Sequence, residues 1–267
     1  MSKPDYLDSA KAITYSSYLA VDELLALQIP ESAEHDELLF IIIHQVYELW
    51  FKQLLHETDF LMTKLGANDV PRALHTLKRM LTILKTIVSQ VDILETMTPL
   101  EFNSFRDRLG SSSGFQSYQF RELEFTLGYK RKNVLDHHPE GSEGRSKLRE
   151  RYDAPTLWDS FLHLLERNDY AIPETLLTRD VTEGLEPSPE VQTILIDIYR
   201  NDPKLASVCE RLLDFDEGMQ EWRYRHVKMV ERTIGHKIGT GGSAGVEYLK
   251  STMRPLFPDL WDIRSRL

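Results

Sequence analysis

One stretch constrains the fold more than any other. From Pro203 to Ile234 the residues Leu205, Val208, Leu212, Phe215, Met219, Trp222, His226, Met229 and Thr233 alternate steps of three and four. That spacing lays one continuous apolar seam along a long helix, which must bury the seam against partner helices. Two further helical runs supply such partners. Apolar residues recur at helical spacing from Ser32 to Lys64 (Leu38, Ile41, Ile42, Leu49, Leu54, Leu61), and again after Pro71 through Leu74, Leu77, Leu81, Leu84 and Val88. Thr98-Pro99-Leu100-Glu101 reads as a capping box with proline in the first turn. On the helix it opens, Phe102, Phe105, Arg106 and Leu109 share one face. Gly110 to Gly114 ends that helix, and helical pattern resumes from Phe115 to Leu127. Residues 130–145 are charged and rich in turn formers, the pattern of an exposed loop. Shorter helices are predicted over 156–167 and 189–200, and a glycine-rich stretch, Gly239 to Gly245, follows the long helix. No strand alternation, repeat or linker interrupts this pattern. The expectation is an all-α, single-domain helical bundle spanning 1–267.

Composition removes several classes of function. The 267 residues are 41% hydrophobic and 28% charged, an ordinary globular balance with enough chain for a large core. A formal net charge of -10 disfavours a phosphate-backbone partner, so no nucleic acid is expected. A single cysteine, Cys209, rules out an intramolecular disulfide, a cysteine-rich metal cluster and covalent haem attachment through C-x-x-C-H. The N-terminal residues lack the apolar core of a secretory signal, and no stretch reads as an uninterrupted membrane span, so a cytoplasmic protein without a membrane partner is expected.

Four features could carry chemistry. His226 occupies a seam position where a core residue is due, and imidazole is the commonest protein ligand of haem iron. The seam alone leaves open a hydrogen-bonded core histidine. Arg223 and Arg225 beside it could pair with carboxylates of a cofactor or be solvated. Phe40 and His44, one turn apart, set an aromatic wall beside an imidazole and would suit an aromatic ligand carrying an N–H; a core histidine is the alternative. Arg106, on a face with Phe102, Phe105 and Leu109, calls for a carboxylate from the protein or from a ligand. The glycine-rich stretch has neither P-loop nor dinucleotide-fold spacing, leaving a ligand-covering loop or a plain connection. No histidine follows a glutamate at the spacing of a di-iron bundle, and no His-Glu-x-x-His or Gly-x-Ser-x-Gly occurs.

Six runs together carry a resemblance. Phe40-Ile-Ile-Ile-His44-Gln, Glu48-Leu-Trp50, Phe105-Arg106-Asp107, Ser113-Gly-Phe-Gln-Ser117, Trp222-Arg-Tyr-Arg-His226 and Gly239-Thr-Gly-Gly-Ser243 resemble the tryptophan 2,3-dioxygenase family, in its order and at about its spacing, from Thr14-Tyr15 to about Asp262. The resemblance implies haem b with His226 as axial ligand, His44 as the distal histidine toward the indole N–H, and Phe40 packing the indole. It also implies Arg106 on the substrate carboxylate, Thr240 on the amino-acid head group, Ser113 and Gly114 beside the haem, and Leu109 as a pocket wall. Phe102 stands where some members carry tyrosine, and Ala244 where serine is common. Tyr15, Tyr18 and Leu19 match N-terminal residues, within about 1–30, that reach a neighbouring subunit of a homotetramer. The implied activity is cleavage of the indole C2–C3 bond of L-tryptophan by O2 to N-formyl-L-kynurenine, the first step of the kynurenine pathway. A haem enzyme acting on a modified indole, a haem sensor without turnover and a helical scaffold without cofactor are the alternatives.

Overall fold

The computed structural model describes residues 13–235, 237 and 246–267. Among them thirteen α-helices and several 3-10 turns occur, with no strand: α1 (Tyr15–Leu19), α2 (Val21–Leu25), α3 (His35–Gly66), α4 (Val70–Leu94), α5 (Pro99–Arg106), α6 (Tyr118–Thr126), α7 (Glu143–Tyr152), α8 (Leu157–Glu166), α9 (Glu174–Leu177), α10 (Pro189–Asn201), α11 (Pro203–Ile234), α12 (Val246–Ser251) and α13 (Pro258–Asp262). The expected all-α bundle is what forms.

Three long helices make the frame. α11 packs most extensively on α4, and α4 on α3, so α4 lies between the other two. The seam is the reason: Leu205, Val208, Leu212, Phe215 and Met219 are buried, facing α4 residues such as Leu77, Leu84 and Val88. Gly218 lets the two helices approach closely, since a Cβ there would stand 2.7 Å from Cδ2 of Leu84. Burying each such side chain stabilises the bundle by roughly 1.5–3 kcal/mol before the entropy cost.

Helix starts are set by local chemistry. Thr98 and Glu101 form the expected capping box, with the Thr98 hydroxyl accepting from the Glu101 N–H and the Glu101 carboxylate accepting from the Thr98 N–H at 2.7 Å. Thr156 and Asp159 repeat it at α8, and Asp202 caps α11. The chain end is tied back to α11 by Asp216. This fully buried carboxylate accepts from the N–H groups of Leu256 and Phe257 and the indole of Trp261, each at 2.9 Å.

Three expectations need correction. Residues 130–145 are an exposed loop only in part: Lys130, Val134, Leu135 and His138 are buried, and Lys132–His137 forms a 3-10 helix. Lys130 extends its ammonium into a nest of three carbonyls, those of Arg151, Tyr152 and Ala154, which explains how this charged residue can lie inside. α5 ends at Arg106, and Asp107–Leu109 continues as a 3-10 turn, so the four-residue face is shared by a helix and its tightened last turn. Finally, α3 is by length and composition long and apolar enough to cross a membrane. Its polar side chains are engaged by the protein, Glu57 by Arg79 and Gln53 and Glu48 by Gln119, and it packs against α4, α6 and α8.

Candidate active site

A cavity of about 260 Å³ opens where α3, α5, α6, α11 and α12 converge. It brings together Phe40, His44, Phe102, Arg106, Ser113, Gly114 and His226, residues spread over nearly two hundred positions of sequence.

The distal wall comes from α3 and α5. Phe40 lies 4.1 Å from the ring of His44 and within 5.7 Å of Phe102 and Phe105, centroid to centroid. Phe102 and Phe105 meet edge to face, so the wall is rigid. Nδ1 of His44 lies 2.7 Å from the carbonyl oxygen of Phe40. A carbonyl only accepts, so Nδ1 must carry the proton and Nε2 holds the lone pair. Burial lowers the His44 pKa, against the raising influence of that carbonyl and of Glu48, so the ring is held neutral. The side chain is therefore built to accept a hydrogen bond from an N–H.

The opposite wall comes from α11. His226 faces the cavity, and Trp222, one turn earlier, stacks parallel to it at 5.3 Å with a 4° angle between planes. Trp222 is itself wedged against Phe51 and Phe120, which fixes its plane and hence that of His226. Burial first, then the proximity of His44 and Arg121, push the His226 pKa down to about 4. A neutral imidazole with an available lone pair is the form that binds a metal.

Beside these walls lies a cluster of charges, of which Arg121, Glu124 and Arg223 line the cavity. Glu124 on α6 is buried and pairs with Arg121 at 2.6 Å, Arg131 at 2.5 Å and Arg223 at 3.0 Å. Burial raises its carboxyl pKa, but the three guanidiniums outweigh that and hold it below the usual carboxylate range. Among the described residues no second carboxylate pairs with these arginines. The cluster thus keeps a surplus of two positive charges, and Nε of both Arg131 and Arg223 is buried without an acceptor. Arg131 also donates to the Tyr248 hydroxyl at 2.5 Å and Arg223 to the Thr252 carbonyl, tying α12 to the cavity. A pocket with this surplus is matched to a dianionic guest.

Comparison with known proteins now bears on the site. A model of the tryptophan 2,3-dioxygenase family matches residues 3–173 and 185–267. The chain belongs to the tryptophan 2,3-dioxygenase family. A protein named tryptophan 2,3-dioxygenase in Herpetosiphon aurantiacus is 62% identical over 260 residues, covering 97% of this chain and 100% of that relative. Proteins of the same name are 55% identical over 257 residues in an Anaeromyxobacter species (96% of this chain, 97% of the relative) and 45% identical over 263 residues in Caulobacter vibrioides (97% and 100%). Membership places the chain among oxidoreductases of the dioxygenase type that act in tryptophan catabolism.

Other expected site residues fall differently. Ser113 and Gly114 line the cavity, and the Ser113 hydroxyl accepts from the N–H of Phe115 at 3.3 Å. Leu109 packs against the core and is not among the cavity-lining residues. Tyr15, Tyr18 and Leu19 lie on α1, exposed and away from the cavity of their own chain. Thr240 and Ala244 lie outside the described residues. Of the two arginines beside His226, Arg223 joins the buried cluster, whereas Arg225 pairs with Asp92 and Glu95 on α4. Arg121, Glu124, Arg131 and Tyr248 were not singled out from the sequence. Every residue of α6 from Phe120 to Thr126 is buried, so no contrast between faces marks its charges as interior. Buried-type patterning, with Arg and Glu three apart in an otherwise aromatic segment, is the signal that was there to read.

Proposed function

We propose that the chain is a haem-dependent tryptophan 2,3-dioxygenase, cleaving the indole C2–C3 bond of L-tryptophan with O2 to give N-formyl-L-kynurenine. What carries this reading is one pocket holding a neutral imidazole, His226, opposite a second neutral imidazole with a free acceptor, beside guanidiniums that outnumber their carboxylate.

These residues fit haem b. Imidazole of His226 is suited to the iron, and the surplus charge of the cluster, which reaches the cavity through Arg121 and Arg223, is suited to the two propionates. When bound, haem supplies the activation of dioxygen that amino-acid side chains lack, and both oxygen atoms end in the product.

The chain's own residues select and hold the substrate. Nε2 of His44 accepts the indole N–H, and Phe40 packs the indole face with Phe102 behind it. Arg106, on the cavity wall, forms a charge-assisted fork with the α-carboxylate. Thr240, outside the described residues, is assigned to the head group by the family resemblance. Fixing both ends of the amino acid converts an encounter into a positioned reaction, removing much of the entropic barrier. The apolar lining, including Phe51, Val91, Leu94 and Met229, keeps water from the reacting carbons. His44, neutral and already donating through Nδ1, orients the ring and can take a proton only at Nε2.

Self-association fits the N-terminal segment. α1 and α2 bury no residue within the chain, and Tyr15, Tyr18, Leu25 and Ile29 are exposed. Such helices gain their apolar burial from another copy, and a homotetramer in which Tyr15 and Tyr18 reach a neighbour's pocket is the proposed arrangement.

The test is haem content. Purified protein supplied with hemin is expected to hold haem at one equivalent per chain, and His226→Ala to lose it while keeping its helical circular dichroism. Full haem content with an unchanged Soret band in His226→Ala overturns the axial assignment.

A further inference from the structure

A second cavity, of about 280 Å³, shares no lining residue with the first. Its floor is α8 and its walls are the 179–191 region and the start of α13. Residues 174–184, which supply Leu176, Arg179, Asp180 and Glu183 to this cavity, fall in the gap between the two stretches that match the dioxygenase family. The catalytic reading makes no use of this wall.

Its polar groups are incompletely used. Asp259 is 2% exposed, and its Oδ1 accepts from the N–H of Ser188 at 2.8 Å and the amide of Gln192 at 3.0 Å. No described group donates to Oδ2. Burial, with Asp262 nearby, raises the Asp259 pKa despite those two donors, the behaviour of a carboxylate lacking a counter-cation. Of the cations at hand, Arg179 is already spent, its guanidinium gripping Asp159 through two bonds of 2.6 and 2.9 Å, and Arg254, which approaches the backbone at Gly184, lies over the ring of Tyr129 at 4.1 Å. Asp180, Glu183 and Glu186 add further negative charge to the lining. Apolar surface completes the cavity, from Leu162, Leu176, Leu185, Val191 and Trp158, the last held in place by stacking on Phe257 at 5.5 Å. Among the described residues no group of three His, Cys, Asp or Glu is placed to hold a metal ion. One buried carboxylate among aliphatic and aromatic walls selects an organic cation over a hydrated metal.

We propose that this cavity is a binding site for a small organic ammonium ion, its charged end on Oδ2 of Asp259 and its apolar body against Trp158, Leu162 and Leu176. The ligand class is a primary amine without a carboxylate, since an α-carboxylate would meet Asp180, Glu183 and Glu186. Ion pairing at a buried carboxylate and burial of a compact apolar body supply the affinity together.

The experiment is calorimetric titration of the full-length protein with benzylammonium chloride and, in parallel, with benzyl alcohol, its neutral counterpart. Saturable binding of the ammonium at one site per chain is expected, with benzyl alcohol weaker by on the order of tenfold or more. Asp259→Asn keeps an oxygen for Ser188 and Gln192 but removes the charge, and is expected to weaken the ammonium by a similar factor. Leu176→Trp, at a half-buried wall, is expected to abolish binding by filling the space, and serves should Asp259→Asn not fold. No saturable heat, equal binding of the alcohol, or an affinity indifferent to Asp259→Asn overturns the proposal. So does an affinity unchanged in Leu176→Trp. Entry into the large cavity would show this last pattern, because neither substituted residue lines it.

Discussion

Replacing Glu124 by Gln probes the charge cluster at its centre. The side chain is 1% exposed and holds Arg121, Arg131 and Arg223, whose side chains are 7%, 15% and 4% exposed. The amide keeps the shape and one acceptor oxygen but leaves three guanidiniums without a carboxylate. Removing one partner of a buried pair costs roughly 3–5 kcal/mol, and the retained acceptor places this substitution near the lower end. In a chain of this size about 3 kcal/mol lowers the melting temperature by roughly 6–12 °C. The assay is urea and thermal unfolding followed by circular dichroism on haem-free protein. A pH series supplies the sign. The folded pKa of Glu124 is depressed, so its contribution is fully present above the unfolded carboxylate value and is lost as pH falls through the folded one. The gap between wild type and Glu124→Gln should accordingly be widest near neutrality and narrow in acid below the ordinary carboxylate range. A loss under about 1 kcal/mol, or a gap that does not change with pH, would refute the view that this carboxylate organises the guanidiniums.

Other consequences are equally open to measurement. Arg106→Ala should raise KM for L-tryptophan by roughly 10- to 150-fold, the worth of a charge-assisted fork of about 1.5–3 kcal/mol, and leave KM for tryptamine nearly unchanged; equal effects on both would remove its carboxylate role. Because His44 must present a lone pair at Nε2 and its pKa lies below the ordinary histidine value, activity should hold at neutral pH and fall only in acid below that value as the ring protonates. His44→Ala should abolish that acid limb, and its persistence would assign the limb to another group. Lys130→Met should destabilise the fold by roughly 2–4 kcal/mol, since it strands three carbonyls, one buried and two partly buried; a melting temperature within a degree of wild type would show water taking over from the ammonium.

The long helices were legible because their periodicity is strong. The seam of α11 puts His226 on the apolar face by arithmetic, and the one-turn spacing puts Phe40 and His44 on one face of α3, but that these faces line one cavity is seen only in the fold. α7 escaped notice because only Leu148 and Tyr152, one turn apart, are buried on a helix otherwise rich in Arg and Glu, too little for a pattern. α1 and α2 bury nothing, so no amphipathic stripe within one chain could announce them. The Glu124 cluster was hidden for a different reason. Its four members come from α6, the segment after it and α11, and only folding shows that one carboxylate serves three arginines. Individual motifs located the aromatic and imidazole parts of the site, while the charge balance that fits a dianionic cofactor is a property of the assembled pocket.

The most direct test of the account is one spectroscopic experiment. Hemin-supplied protein is reduced without oxygen, mixed with L-tryptophan and exposed to air. A haem Soret band followed by growth of N-formylkynurenine absorption, in proportion to tryptophan consumed, is the expected result. Stable haem with no consumption of tryptophan would contradict the proposed reaction, and the absence of any haem band would contradict the role given to His226 as well.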